Sequence, residues 1–327
     1  MLPLYGGFQD PQAQGTRVTA EFARNVSPDV EIVLHPIPTL DAKPYIITVG
    51  PDGLLWFCES GTAKIGRLDP DSGAFTEFPT PTPNSRPIGI IAGSDGNLWF
   101  CENAANQIAR ITPRGAITEF PLPTPAAGPD GIMQGPDGNL WFSEAHVSRI
   151  GRITPTGAVT EFSDGLTPGC RPLSIVVRDG DLWFSEYAAG RIGRITVSGQ
   201  VSEYPVPTPN SEPRAMAAHP DGSIWFVQTQ ANGLGRIDRQ GKVTEFPVKT
   251  PDASLRGVAV AADGDLWFTE NFANKIGRMS PDGHLIGEYA IPGANCGARA
   301  IVAAPDGRLF FSAHDAGAIG EVIPRRR

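Results

Sequence analysis

Apolar residues in this chain come in runs too short for helices, and each run is closed by turn-forming residues. One stretch reads Ile132-Met133-Gln134, Asp137-Gly138, Trp141-Phe142, Ile150-Gly151-Arg152-Ile153 and then Gly157. The preceding stretch supplies a further run, Ala116-Ile117-Thr118-Glu119-Phe120, followed by Pro121-Leu122-Pro123-Thr124-Pro125. Such runs predict strands, and the residues between them predict tight turns. Asp-Gly tolerates positive φ at both turn positions, as a hairpin between the first two strands requires. Proline lacks an N–H, so the Pro-rich segment ends the fourth strand and stiffens the link to the next unit.

This pattern recurs along the whole chain. Trp56-Phe57, Trp99-Phe100, Trp141-Phe142, Trp183-Phe184, Trp225-Phe226 and Trp267-Phe268 repeat at spacings of 43, 42, 42, 42 and 42, and Phe310-Phe311 follows after 43 more. All six tryptophans occupy this one position. An Asp-Gly pair precedes each, from Asp52-Gly53 to Asp306-Gly307. Units of this length with four short strands are β-propeller blades, and seven of them predict an all-β, seven-bladed propeller of four-stranded antiparallel blades. The seventh unit ends at Ile319-Gly320-Glu321-Val322, a third strand with no fourth after it. Val30-Glu31-Ile32-Val33-Leu34-His35-Pro36 precedes the first unit and reads as the missing strand, so the N-terminal strand is expected to close the ring in the last blade. The expected layout is an N-terminal extension over 1–29, the propeller over 30–323 and a basic, solvated tail over 324–327. Within the extension, residues 18–26 suggest a short helix.

Composition narrows the possible functions. Glycine and proline (38 and 32 of 327 residues) are well above their usual share, in keeping with many turns. A net charge of −8 gives no global basic footprint for nucleic acid. No apolar run is long enough to span a membrane, and no secretory signal opens the sequence, so a cytoplasmic, monomeric protein acting on a small molecule is expected. Four cysteines do not make a disulfide framework. Cys58 and Cys101 share a repeat position and read as buried apolar side chains. Cys170 and Cys296 fall in blades far apart on the ring.

Two places per blade are expected to face the mouth of the central channel, where propellers offer a funnel for ligands. The first, one residue into the innermost strand, reads Tyr45, Ile88, Asp130, Leu173, Arg214, Arg256 and Arg299 around the ring. Three arginines in consecutive blades suggest a clamp for a carboxylate or phosphate, unless nearby glutamates neutralise them. The second place, three past the Trp, reads Glu59, Glu102, Glu144, Glu186, Gln228, Glu270 and Ala313. So regular a glutamate reads as structural, accepting hydrogen bonds from a neighbouring loop or pairing with a repeated arginine. A divalent ion held by a few of these acids is the alternative. Gln228 and Ala313 remove the acid beside the arginines, which places Gln228 among the ligand contacts. One position further come Tyr187 and His314. His314 is the candidate base, because an imidazole titrates near neutrality. His35, His219 and His284 are expected to be solvated surface residues, and His146 lies in a loop at the mouth of blade three.

The repeat phrase Leu266-Trp267-Phe268-Thr269-Glu270-Asn271-Phe272-Ala273-Asn274-Lys275-Ile276-Gly277-Arg278, like Leu98–Ile108, Thr118–Pro125 and Arg86–Ile90, resembles the blades of the streptogramin B lyase (virginiamycin B lyase) family over about residues 30–323. The resemblance implies a carbon–oxygen lyase of antibiotic resistance that linearises a cyclic depsipeptide by elimination with a magnesium ion. In that family a base removes a proton α to a carbonyl while the metal stabilises the enolate-like charge. The family's two histidines fall on Arg256 and Arg299, its glutamates on Gly297 and His314, and its rim tyrosine on Tyr45. A lyase of this kind therefore needs His314 as base and an arginine in place of the metal. Arg256, Arg299 and His314 are then the catalytic candidates, with Tyr45, Asp130, Tyr187, Arg214 and Gln228 holding the substrate. A non-catalytic propeller binding a ligand or protein at the same rim, or a metal-dependent lactonase-like hydrolase, are the alternatives.

Overall fold

The computed structural model describes residues 23–325. They form seven antiparallel sheets arranged as a ring, and no helix forms among the described residues. In blade one the strands are Pro44–Val49, Leu55–Glu59, Lys64–Asp69 and Ala74–Pro79, ordered from the channel outward. The innermost strands of blades two to seven are Pro87–Ala92, Pro129–Gln134, Pro172–Arg178, Pro213–Ala218, Leu255–Val260 and Ala298–Ala303. The glycines of the Asp-Gly turns hold φ near +80°, as at Gly53 and Gly96, where a β-carbon would be strained.

The Trp-Phe strand is buried on both faces, so it reads as a continuous apolar run rather than an alternating one. Its side chains fill the spaces between blades: Trp56, Cys58 and Ile65 of blade one pack with Ile90, Leu98 and Phe100 of blade two. Each Trp stacks on the outer-strand aromatic of its own blade, as Trp99 does on Phe120 at 5.4 Å between ring centroids. The third-strand arginine lies over both rings and reaches the next blade: Arg110 sits 5.4 Å from the Trp99 ring and donates to Pro155 O at 3.1 Å. In the first three blades the turn aspartate also accepts the indole N–H, as Asp52 does from Trp56 at 2.9 Å.

Ring closure follows the sequence expectation. Val30–Pro36 pairs antiparallel with Ala318–Pro324, the third strand of blade seven. A further strand, Arg24–Val26, lies outside it, so the closing sheet has five strands and the expected helix over 18–26 is not formed at 24–26. The start of that segment lies outside the described residues. Arg325 is held by Asp29 O and Glu31, whereas Arg326 and Arg327 lie outside the description. The four cysteines are free and buried.

Candidate functional site

Every innermost strand carries a bulge at its start. Pairing with the second strand slips between Pro44 and Ile47, and at the equivalent place in all seven blades. A bulge takes one residue out of the ladder and re-aims it. The re-aimed residues are the first-place positions, and Tyr45, Asp130, Leu173, Arg214, Arg256 and Arg299 all line one axial cavity of about 450 Å³. Below them its wall is mostly apolar, with Ile47, Ile90, Met216 and Val258 among the lining residues. In blades three, four, six and seven a hydroxyl two past the Trp position holds the bulge. Ser312 Oγ accepts from Ala300 N and donates to Tyr45 O at 2.5 Å, and Thr269 Oγ1 accepts from Gly257 N and donates to Arg299 O at 2.6 Å. The hydroxyl of one blade thus positions the rim residue of the next.

The three arginines converge as expected, and no carboxylate among the described residues pairs with any of them. The Nε atoms of Arg214, Arg256 and Arg299 are buried without a hydrogen-bond partner. Arg214 lies 4.4 Å from the Tyr187 ring and Arg299 5.0 Å from the Tyr45 ring. Arg256, between them, has no aromatic face beside it in the described residues. Burial, then the charges of Arg214 and Arg299, lower its pKa to about 10. Asp130 stands across the mouth, and burial raises its carboxyl above the usual range despite Arg214, Arg171 and Arg86.

His314, like Tyr187, is not among the residues lining the cavity; it lies beside the rim residue Tyr45, with its ring edge-on to the tyrosine at 6.1 Å. Its Nδ1 is 2.8 Å from Asp315 Oδ1. Burial and the Arg299 charge hold its pKa below the ordinary value. Burial opposes ionisation of Asp315, but the His314 hydrogen bond and the nearby cations outweigh it, so this carboxyl is held low. The anionic carboxylate accepts, so Nδ1 carries the hydrogen and Nε2 keeps its lone pair. Asp315 was not a candidate on sequence. A β-carbon added at Gly297 would come within 2.2 Å of its Oδ2, so Asp315 fills the space that a side chain at 297 would need.

Gln228 is not brought to the mouth. It is buried within blade five, outside the cavity lining, and its Oε1 has no partner. The glutamates three past the Trp are likewise sealed inside their blades, because a strand-two residue at this register faces the outer strand rather than the axis. The loop contacts expected of them belong mostly to a second glutamate on the outer strand. Glu161 accepts from Thr124 N and Oγ1 of the preceding crossover and pairs with Arg149 at 2.8 Å, while both carboxyl oxygens of Glu144 behind it lack partners. Burial, then the facing carboxylate, push Glu144 and Glu186 up to about 8. Glu59 and Glu270 are raised to about 7 in the same way, and burial puts Glu102 at about 8.

The histidine expectations hold only in part. His284 and His146 are exposed. His35 is buried against Glu321, and the His219 side chain is largely enclosed, with Nε2 3.1 Å from Gly264 O.

The magnesium ion that the resemblance implies does not suit these donors. Two of the family's positions carry the arginines Arg256 and Arg299, and among the described residues no three His, Cys, Asp or Glu side chains gather where they could hold a metal.

The fold is a seven-bladed propeller, and three arginines line its axial mouth. The virginiamycin B lyase family model matches residues 15–226 and 166–327, and the chain belongs to that family. Among solved structures, a streptogramin B lyase is 35% identical, with a TM-score of 0.87 over 91% of this chain and 98% of the other. The virginiamycin B lyase from Staphylococcus aureus is 37% identical, with a TM-score of 0.86 over 91% of this chain and 100% of the other. A catalytically inactive histidine-to-alanine variant of the Staphylococcus aureus enzyme, solved with quinupristin, is 36% identical with a TM-score of 0.86 and the same coverage. A comparison with curated protein sequences finds no match.

Proposed function

We propose that this chain is a carbon–oxygen lyase that opens a cyclic ester or depsipeptide by elimination, with His314 as base and the arginine collar in place of a metal. The reading is carried by the contact between Asp315 and His314, set beside Arg299 and Tyr45 at the cavity mouth. Asp315 fixes the tautomer, and Nε2 of His314 removes a proton from the carbon α to a carbonyl. The electron pair forms the double bond, the β carbon–oxygen bond breaks, and the departing carboxylate keeps that bond's pair. Arg256 and Arg299 hold the negative charge that develops, a role for which buried guanidinium groups are suited. Tyr45 and Tyr187 orient the substrate through their rings, while Asp130 and Arg214 set its placement across the mouth.

The test is incubation with a streptogramin B and with simple lactones, with and without magnesium, followed by mass spectrometry. Elimination leaves the substrate mass unchanged and creates a new double bond, at the same rate in both metal conditions. A gain of one water, or full turnover by His314→Ala, overturns the proposal. The partnerless arginines also suit a second reading, a non-catalytic receptor for an anion, for which tight binding without any conversion is the expected result.

A further inference from the structure

The mouth carries a charge opposite to that of the whole protein. The chain has a net charge of −8, yet three arginines, Arg214, Arg256 and Arg299, line the mouth, and the charges of Arg86 and Arg171 also act on Asp130 at its far side. Two aspartates stand near them. Asp315 is already engaged by His314 at 2.8 Å and Lys43 at 3.6 Å, which leaves Asp130 as the acid facing the arginines. Cations held this close destabilise the folded chain unless something anionic joins them. In the described residues the collar is not neutralised from inside: the nearest repeated acids are sealed in the blades, and blades five and seven replace them with Gln228 and Ala313.

Two of the arginines also lie against aromatic rings. Tyr187 fixes Arg214 at one end of the trio and Tyr45 fixes Arg299 at the other, 4.4 and 5.0 Å from the respective rings. Rings stacked this way leave the guanidinium edges free to donate, and an edge donates two parallel hydrogen bonds to a carboxylate or phosphate. Arg256 lies between two like charges, so one anionic group shared with Arg299 leaves Arg214 facing only Asp130, whose carboxyl burial holds above the usual range.

We propose that the ligand taken at this mouth carries at least two permanent negative charges, carboxylate or phosphate, one between Arg256 and Arg299 and the other on Arg214. The inference deepens the function proposed above by naming a substrate class, and it rests on that reading only for the location of the site. A neutral cyclic ester would leave the collar uncompensated, whereas an ester bearing two acid groups would offset most of its charge and present its remaining atoms to His314.

Calorimetric titration of the full chain at constant ionic strength tests this. The probes are acetate, glutarate, tricarballylate, inorganic phosphate and pyrophosphate. The multiply charged probes should bind at least tenfold tighter than acetate, and the tighter of tricarballylate and pyrophosphate identifies the acid group. Arg256→Met should weaken that binding tenfold or more. Arg114→Met, an exposed arginine in the turn that ends the third strand of blade two, should leave it unchanged. Equal affinity for all probes, or unchanged binding by Arg256→Met with its fold intact by circular dichroism, overturns the inference. Anion binding without any ester opening removes the elimination alone. Turnover of neutral cyclic esters by a chain that binds none of these anions removes the present inference alone.

Discussion

His35 and Glu321, 286 positions apart in the chain, meet at 2.9 Å inside the sheet that closes the ring. Arg308 approaches the other Glu321 oxygen at 3.3 Å and extends to Asp71 of blade one at 2.8 Å. One carboxylate thereby joins the N-terminal strand, the last blade and, through the arginine, the first.

Removing either member of that pair takes a buried hydrogen bond from the other. Glu321→Ala and His35→Ala should each lower stability by about 1–3 kcal/mol, the glutamate change costing more because it also takes one of its acceptors from Arg308. Urea unfolding would measure both. Burial alone would raise the Glu321 carboxyl, but the His35 hydrogen bond and the Arg308 charge outweigh it and hold it low. Its contribution is therefore present above the ordinary carboxyl value and lost as pH falls through the lower folded value. If both variants match the parent, the seam is not held here.

The glutamate pairs inside five blades predict the opposite trend at higher pH. Glu59, Glu102, Glu144, Glu186 and Glu270 hold their protons to about 7 or 8, against an ordinary 4.5. The folded chain then binds more protons than the unfolded chain between those values. Stability should be greatest near pH 5 and fall as pH rises through 8. Melting midpoints at pH 5.5 and pH 9 would reveal the drop, and Glu144→Gln should shrink it. A flat profile would mean that these carboxyls are not protonated in the fold.

Arg256 trades stability for binding. Replacing it by methionine removes a half-buried cation flanked by two others and should raise stability by about 0.5–2 kcal/mol. The parent should instead gain about 2.7 kcal/mol from a multiply charged anion at a hundred times its dissociation constant. Differential scanning calorimetry with and without tricarballylate separates the two effects. A destabilised Arg256→Met whose midpoint still rises with the anion would contradict both.

If His314 is the base, the elimination rate should rise through a midpoint below 6.5 and level off above it, since burial and Arg299 depress its pKa. His314→Ala should cost about 10²–10⁴ in rate. Asp315→Asn should lower the midpoint further, because Asp315 is the group that opposes the depression. A midpoint unmoved by Asp315→Asn would assign the titration to another residue.

The ring was legible because its signals are local and repeated. The Trp-Phe dipeptide, the Asp-Gly turn and the Pro-rich crossover each dictate one element in each blade, and the incomplete seventh unit pointed to Val30–Pro36. The first rim position was legible for the same reason, through its fixed offset from the start of the strand. The orientation of Gln228 and the five glutamates was harder to read. The Trp-Phe strand is buried on both faces, so its composition does not mark which side chains face the axis. His35 was misjudged because its partner comes from the opposite end of the chain. Asp315 was overlooked because its significance depends on the bare backbone at Gly297, a relationship visible only in three dimensions. Arg24–Val26 forms a strand because the outer edge of Val30–Pro36 offers it a ladder, which no local preference announces.

The slip that begins every innermost strand has an evolutionary consequence. Each residue at this place is released from ladder pairing, so its side chain escapes the constraints that the sheet sets on its neighbours. Tyrosine, isoleucine, leucine, aspartate and arginine all occupy these equivalent places within one molecule. A lineage built this way can exchange one chemistry for another by single replacements, without renegotiating its architecture.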